Sequence, residues 1–174
     1  TTWTQATSGE RHTVALQNNG IIWTWGNAQT TGVLGHNDTL SRSSPTQVGT
    51  NNNWLQVSAG GTHTAAVNSS DGFYAIFTWG QNTNGELGLN DVVARSSPTV
   101  VGTFSDWAAV SATGYNHTIA VKRDGTLWAW GQAAAGRLGT NSTAARSSPT
   151  QIGTLTNWSF AESAGSHSFG IKDD

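Results

Sequence analysis

The chain lacks cysteine and methionine altogether among its 174 residues. Disulfides and thiol chemistry are therefore excluded, and cysteine usage says nothing about the redox compartment. The missing initiator methionine points to a mature form or an excised fragment. Charge is scarce, with 10% of residues ionisable against about 25% in an ordinary globular domain. Eight scattered Lys and Arg with a net charge of −2 do not supply the electrostatic attraction that nucleic-acid binding needs. No apolar run approaches the ~20 residues of a membrane span, and no charged-then-apolar leader opens the chain, so it reads as soluble, with no membrane insertion. No amphipathic helical stretch is evident either. Gly, Ser, Thr and Asn fill the space left by charge, a composition that suits tight turns and hydroxyl-rich strands.

What is present is repetition. Arg-Ser-Ser-Pro-Thr occurs at Arg42–Thr46, Arg95–Thr99 and Arg146–Thr150, at offsets of 53 and 51 residues. Trp-Gly recurs at Trp25, Trp79 and Trp130, and Leu-Gly at Leu34, Leu87 and Leu138, always in the same order. Another Trp opens each unit, at Trp3, Trp54, Trp107 and Trp158, followed nine or ten residues later by His12, His63, His117 and His167. The repeats run approximately over 3–53, 54–106 and 107–157, with a partial copy at 158–174.

Within a unit, the segment after the opening Trp reads as a short strand ending in small residues, and the segment from the His alternates with period two. Asn19-Gly20, Asp71-Gly72 and Asp124-Gly125 then predict type I′ hairpin turns. Each turn leads to an aromatic strand with large rings two residues apart, hence on one face. Two extra residues in the second unit predict a bulge or a longer hairpin there. A loop of about fifteen residues follows, then a Ser-Ser-Pro turn and a short fourth strand at 46–49, 99–102 and 150–153. Four antiparallel strands per unit at a fixed period predict an all-β fold, a β-propeller of four-stranded blades. A single blade cannot bury both faces, so stability comes from stacking.

The motifs Ser-Ala-Gly-x-x-His-Thr, Asp-Gly-x-Leu-Trp-x-Trp-Gly, Gly-x-Leu-Gly and Ser-Ser-Pro resemble the RCC1-type repeat. The resemblance covers essentially the whole chain and implies an RCC1-like propeller, in that family usually seven-bladed. Three and a half units are then part of a ring, completed by a longer chain, a second copy or another subunit. In style the units look like bacterial and phage-borne versions. Family members include an exchange factor for a small GTPase, regulators of ubiquitin ligases and photoreceptors.

The four repeated histidines tempt a metal reading, but equivalent positions lie in different sheets about 10 Å apart, whereas zinc holds its ligands at about 2 Å. They are expected to be structural, bridging backbone groups between strands, with no metal and no cofactor. Trp25, Trp79 and Trp130 are expected in the core, and Trp54, Trp107 and Trp158 as wedges between blades. No carboxylate is repeated beside the Ser and His positions, which argues against a nucleophilic triad and against enzymatic activity. Arg42, Arg95 and Arg146 either line a positive ring or tie down their own loops. His36, outside the repeat pattern, is expected to face solvent. The variable loops 28–41, 81–94 and 132–145, with Asn37, Asn90 and Asn141, are the candidate binding elements. The leading expectation is a non-enzymatic structural or adhesion module on an extracellular or virion surface, completed by protein subunits, with surface glycans as a further candidate partner. The alternatives are an intracellular regulatory binder of the exchange-factor type and a carbohydrate-binding propeller.

Overall fold

The computed structural model describes residues 2–103 and 106–174; two residues of the link ending the second repeat lie outside the described set. Among the described residues, fourteen strands form three four-stranded antiparallel sheets and one two-stranded sheet, each in simple meander order. The first blade holds β1 (Trp3–Ser8), β2 (His12–Gln17), β3 (Ile22–Gly26) and β4 (Arg42–Gln47). The second holds β5 (Trp54–Ala59), β6 (His63–Ser70), β7 (Phe73–Gly80) and β8 (Arg95–Val100). The third holds β9 (Trp107–Ser111), β10 (His117–Lys122), β11 (Leu127–Gly131) and β12 (Arg146–Gln151). β13 (Trp158–Ala164) and β14 (His167–Lys172) form the inner half of a fourth. The fold is all-β, in blades, as the periodicity predicts.

Three hydrophobic clusters coincide with the three seams between consecutive blades. Val14, Leu16, Ile22 and Val48 of the first blade pack on Trp54, Val57, Ala66 and Trp79 of the second. Val67, Ile76 and Val101 then meet Trp107, Val110, Ala120 and Trp130. In the third seam Ile119, Leu127 and Leu138 meet Ala161, with Trp158 packed at the margin. Each seam therefore buries what one sheet exposes, so the apolar face of a blade is satisfied only by its neighbour.

Two details differ from the sequence reading. The Arg-Ser-Ser-Pro-Thr motif is the fourth strand itself rather than a turn before it. Pro45, Pro98 and Pro149 have no N–H to donate, and the outermost strand of each sheet is where that loss is tolerated. Register shifts opposite them, between Thr24 and Gly26 and at the equivalent places in the other blades, absorb the irregularity. Of the hairpins, only Asp71-Gly72 has positive φ at both residues, 51° and 82°, as type I′ requires. At Gly20 and Gly125 the glycine alone is left-handed, which makes these a turn followed by a glycine bulge. The two extra residues of the second unit lengthen the hairpin without a bulge, in unbroken register from His63 opposite Gly80 to Ser70 opposite Phe73.

The meander puts the β1–β2 type turns and the long β3–β4 type loops at one end of every blade, the loop end, and the hairpins at the other.

Candidate functional site

The sequence-predicted residues divide between the seams and the loop end. At the inner edge, side chains of one blade bond to the backbone of the next. Gln5 both donates to the Val57 carbonyl, at 2.9 Å, and accepts from its N–H, at 3.0 Å. Gln56 accepts from the Val110 N–H at 3.0 Å, but the third blade has Ala109 in that position and no such bond. Two residues further on, Thr7, Ser58 and Ser111 accept from the N–H of Ala59, Ala112 and Ser163.

The histidines bridge blades through a hydroxyl. Nε2 of His12, His63 and His117 lies 3.0, 2.9 and 2.9 Å from the hydroxyls of Thr64, Thr118 and Ser168 in the following blade. Each hydroxyl spends its one proton on a loop carbonyl of the preceding blade, that of Val33, Glu86 or Arg137. The imidazole must therefore donate from Nε2, which leaves Nδ1 unprotonated. All three Nδ1 atoms are buried without a partner, and Gly9, Gly60 and Gly114 press on the rings so closely that an added Cβ would lie 2.3–2.6 Å from ring atoms. A second proton has nowhere to go. Burial accordingly lowers the pKa to about 4 for His12, about 3 for His63 and about 4 for His117. The expected bridge between backbone groups is in fact a relay from imidazole to hydroxyl to carbonyl. His167 is exposed on the half blade.

Trp79 and Trp130 are fully buried and donate from Nε1 to the same Val33 and Glu86 carbonyls, at 2.9 and 3.0 Å. Trp25, on the first described blade, is half-buried. Trp54 and Trp107 are buried in the seams and meet Phe77 and Trp128 edge to face, while Trp158 is half-buried, with the Lys172 ammonium 5.7 Å from its ring centre.

Asn37 and Asn90, expected as binding-loop residues, take left-handed backbone (φ 61° each) and donate from their N–H to Ser96 and Ser147 on the outer strand of the next blade, both at 2.7 Å. They staple the outer seam. Asn141 has the same conformation, φ 55°, on the side where the half blade has no outer strand among the described residues. His36 is half-buried rather than solvent-facing, 2.9 Å from the Thr24 hydroxyl, which itself donates to the Leu34 carbonyl. Among the described residues, no three His, Asp or Glu side chains converge to hold a metal ion.

Arg42 and Arg95 tie down their own loops. Asp38 accepts the Leu40 N–H and the Arg42 guanidinium, at 2.9 and 2.6 Å, while Arg42 also donates to the Leu40 carbonyl. Asp91 and Arg95 repeat this around Val93. The Leu40 and Val93 N–H groups, with the arginines, hold both carboxyls below the usual range. In the third unit Ser142 replaces the aspartate, so Arg146 has no such ion pair. The clamps present apolar tips: Leu40, Val92 and Val93 are 60–65% exposed, and Tyr115 stands out at 58% in the turn between β9 and β10. Sequence reading missed these tips. The signal available was an acid four residues before the repeated Arg, present in two units and absent from the third. The loop acids are meanwhile committed: Asp38 and Asp91 to the clamps, and Glu86 buried, its carboxyl pKa raised by burial.

The Regulator of chromosome condensation (RCC1) repeat matches residues 19–67, 75–121 and 124–171. The chain belongs to the RCC1-repeat family. It is 30% identical over 154 residues to the E3 ubiquitin-protein ligase HERC2 of Homo sapiens, covering 86% of this chain and 3% of HERC2. It is 36% identical over 103 residues to the ultraviolet-B receptor UVR8 of Arabidopsis thaliana, covering 58% of this chain and 22% of UVR8. Among solved structures, Prp20p of Saccharomyces cerevisiae superposes with a TM-score of 0.82 at 22% identity, over 99% of this chain and 44% of Prp20p. Human WBSCR16 gives 0.83 at 21% identity, over 98% of this chain and 44% of its own length. The chain thus spans less than a quarter of these curated relatives and under half of these propellers.

These relatives correct the expected location. HERC2, UVR8 and Prp20p are intracellular proteins, which overturns an extracellular or virion-surface placement of this RCC1-repeat chain. They are also eukaryotic, so the likeness to bacterial or phage versions finds no support, nor do adhesion and surface glycans.

Proposed function

We propose that this chain is part of an intracellular RCC1-type propeller that acts by binding protein partners at its loop end and regulates them by contact. The observation that carries this reading is the pair of Asp–Arg clamps, which hold Leu40, Val92 and Val93 in the solvent on rigid turns. Apolar and aromatic side chains fixed before binding lose little entropy on contact and make effective anchors. Tyr115 in the β9–β10 turn supplies an aromatic on the same end. The propeller carries no chemistry of its own in this reading, and in a ligase of the HERC type the transfer reaction belongs to other domains.

The solved Prp20p structure is described with binding to Gsp1p and histones, and yeast RCC1 has been crystallised with Kap60. These favour a regulator of the exchange-factor kind over a surface structural protein. The acids do not add a converging acidic face, because Asp38 and Asp91 are spent on arginines and Glu86 is buried. Contact is therefore assigned mainly to the apolar tips. The test is binding of the purified chain to a small GTPase of the Gsp1p type and to histones, with nucleotide release followed in parallel. Binding that weakens at least about tenfold in the Leu40→Asp, Val93→Asp double variant supports the reading. No binding to either protein, or binding indifferent to the tips, contradicts it.

A further inference from the structure

Of the two serines in the Arg-Ser-Ser-Pro strand, one is committed to a seam and one is not. On β8 of the second blade, which has a four-stranded blade packed on either side, the Ser96 carbonyl accepts the Asn37 N–H from the preceding loop. Gly32 presses on the same residue, so that a Cβ added there would lie 2.4 Å from the Ser96 side chain. Ser97 is half-buried, and its hydroxyl makes no hydrogen bond among the described residues. Its carbonyl accepts the Thr99 hydroxyl at 3.1 Å. The ladder to β7 is interrupted at this point: Thr78 stands opposite Thr99 and Gly80 opposite Arg95, so Ser96, Ser97 and Pro98 together face Trp79. Three residues against one make a bulge. It lies on the outermost strand of its sheet, where a segment can swing out without breaking the ladders inside it.

We propose that Ser97 is a phosphorylation site for a proline-directed protein kinase, and that its phosphate draws Arg95 away from Asp91 and so loosens the Val92-Val93 tip. The transfer is balanced by ATP. Ser97 Oγ bonds to the γ-phosphorus, the bond from that phosphorus to the bridging oxygen breaks, ADP leaves, and the hydroxyl proton passes to the kinase's base. Pro98 is the recognition feature, read by an apolar contact at the position after the serine, where proline offers no N–H. Arg95 lies two residues before Ser97, about 7 Å along an extended strand. Its guanidinium is engaged with Asp91 at 2.5 Å and with the Val93 carbonyl at 2.7 Å. The side chains of that ion pair are 27% and 35% exposed, and a pair so placed is weakly held. A phosphate brings a second negative charge and three acceptor oxygens to the same guanidinium fork. Asn82 still holds Asp91 from the buried side, at 2.9 Å, so the loop stays folded while its tip loosens. The consequence for partner binding rests on the reading of Val93 as a contact; the phosphorylation itself does not.

The intact chain is incubated with Mg-ATP and a purified proline-directed kinase, and phosphate is located by peptide mass spectrometry. Ser97 is expected to be phosphorylated and Ser96 to stay unmodified, with incorporation at Ser97 at least about tenfold lower in Pro98→Ala. In a Ser44→Ala, Ser148→Ala background, where Ser97 is the remaining serine of this motif, phosphorus NMR follows the second ionisation of the phosphate. Its pKa should lie below the ordinary value of about 6 and return to it in Arg95→Gln. Hydrogen exchange at the Val93 N–H should quicken at least about fivefold on phosphorylation. No phosphate at Ser97 of the folded chain, incorporation indifferent to Pro98, a second pKa that is the same with and without Arg95, or unchanged Val93 exchange would each overturn the proposal. Phosphorylation that passes all these tests yet leaves binding to the Gsp1p-type GTPase and to histones unchanged supports the site and counts against the contact reading of the tip.

Discussion

The second seam and the third are built by the same repeat and are held to different degrees. In the second, Gln56, Ser58 and His63 reach from the second blade to the third and Trp130 reaches back, each making a hydrogen bond across the seam. In the third, Ser111 and His117 still cross, but Ala109 replaces the glutamine. The contrast separates what a blade needs to exist from what it needs to be held. Backbone pairing within a sheet is complete in all three full blades, whereas seam bonds come from individual side chains that a repeat can gain or lose one at a time.

The largest effect should come from Gly60→Ala. Its Cβ would sit 2.4 Å from the Ala112 carbonyl oxygen and 2.6 Å from the His63 ring, so urea unfolding should report a loss above about 4 kcal/mol or no folded protein. Gly165→Ala, in the β13–β14 turn of the half blade, has no neighbour within 4 Å and φ 46°, so it should cost about 1 kcal/mol from backbone strain alone.

Acid comes next. The three seam histidines have folded pKa values lowered to about 4, 3 and 4 against an ordinary 6.5. Between those values the unfolded chain binds protons that the folded chain refuses, so their stabilising effect is complete above about pH 7 and is lost progressively as pH falls toward 4. Glu86, raised in the fold, acts in the opposite sense and is one group against three. Thermal midpoints measured from pH 7 to 4 should fall, and His63→Gln should flatten the dependence. An unchanged midpoint over that range would remove the neutral-imidazole relay from the account.

How much of this was legible follows from what repeats. Strand order, the hairpin positions and the placement of Trp79 and Trp130 in the core follow from periodicity, because the apolar alternation that marks a strand also marks its buried face. Ser-Ser-Pro reads as a turn in the sequence because proline ordinarily breaks ladders, and only the sheet topology shows that this strand lies on the outside. The histidine relay was not legible. Its partners Thr64, Thr118 and Ser168 directly follow other histidines, and sequence adjacency hides a contact that spans 51 to 55 residues. Asn37 and Asn90 likewise read as free loop residues until the outer strand of the next blade is seen beside them.

Smaller changes should move the third seam toward the second. Gln56→Ala should cost about 1–2 kcal/mol by leaving the Val110 N–H unpaired, and Ala109→Gln should stabilise by up to about 1 kcal/mol if the side chain reaches the Ala161 N–H. Both are read by chemical denaturation at pH 7. Smallest of all, Ser142→Asp should give Arg146 the clamp that Arg42 and Arg95 have. At an exposed site this is worth at most about 0.5–1 kcal/mol, and is detected more readily as an upfield-to-downfield change in the Arg146 side-chain resonance than as stability.

The most direct test of seam bonding is to make one substitution at three equivalent sites, Trp25→Phe, Trp79→Phe and Trp130→Phe, and measure unfolding free energy for each. Phenylalanine keeps much of the packing within the blade and removes the indole N–H. If seams hold the molecule as described, Trp79→Phe and Trp130→Phe should each cost about 2 kcal/mol or more, because the Val33 and Glu86 carbonyls lose a donor, and Trp25→Phe should cost well under half of that. Three equal losses would contradict the account and place the stabilising contacts within the blades rather than between them.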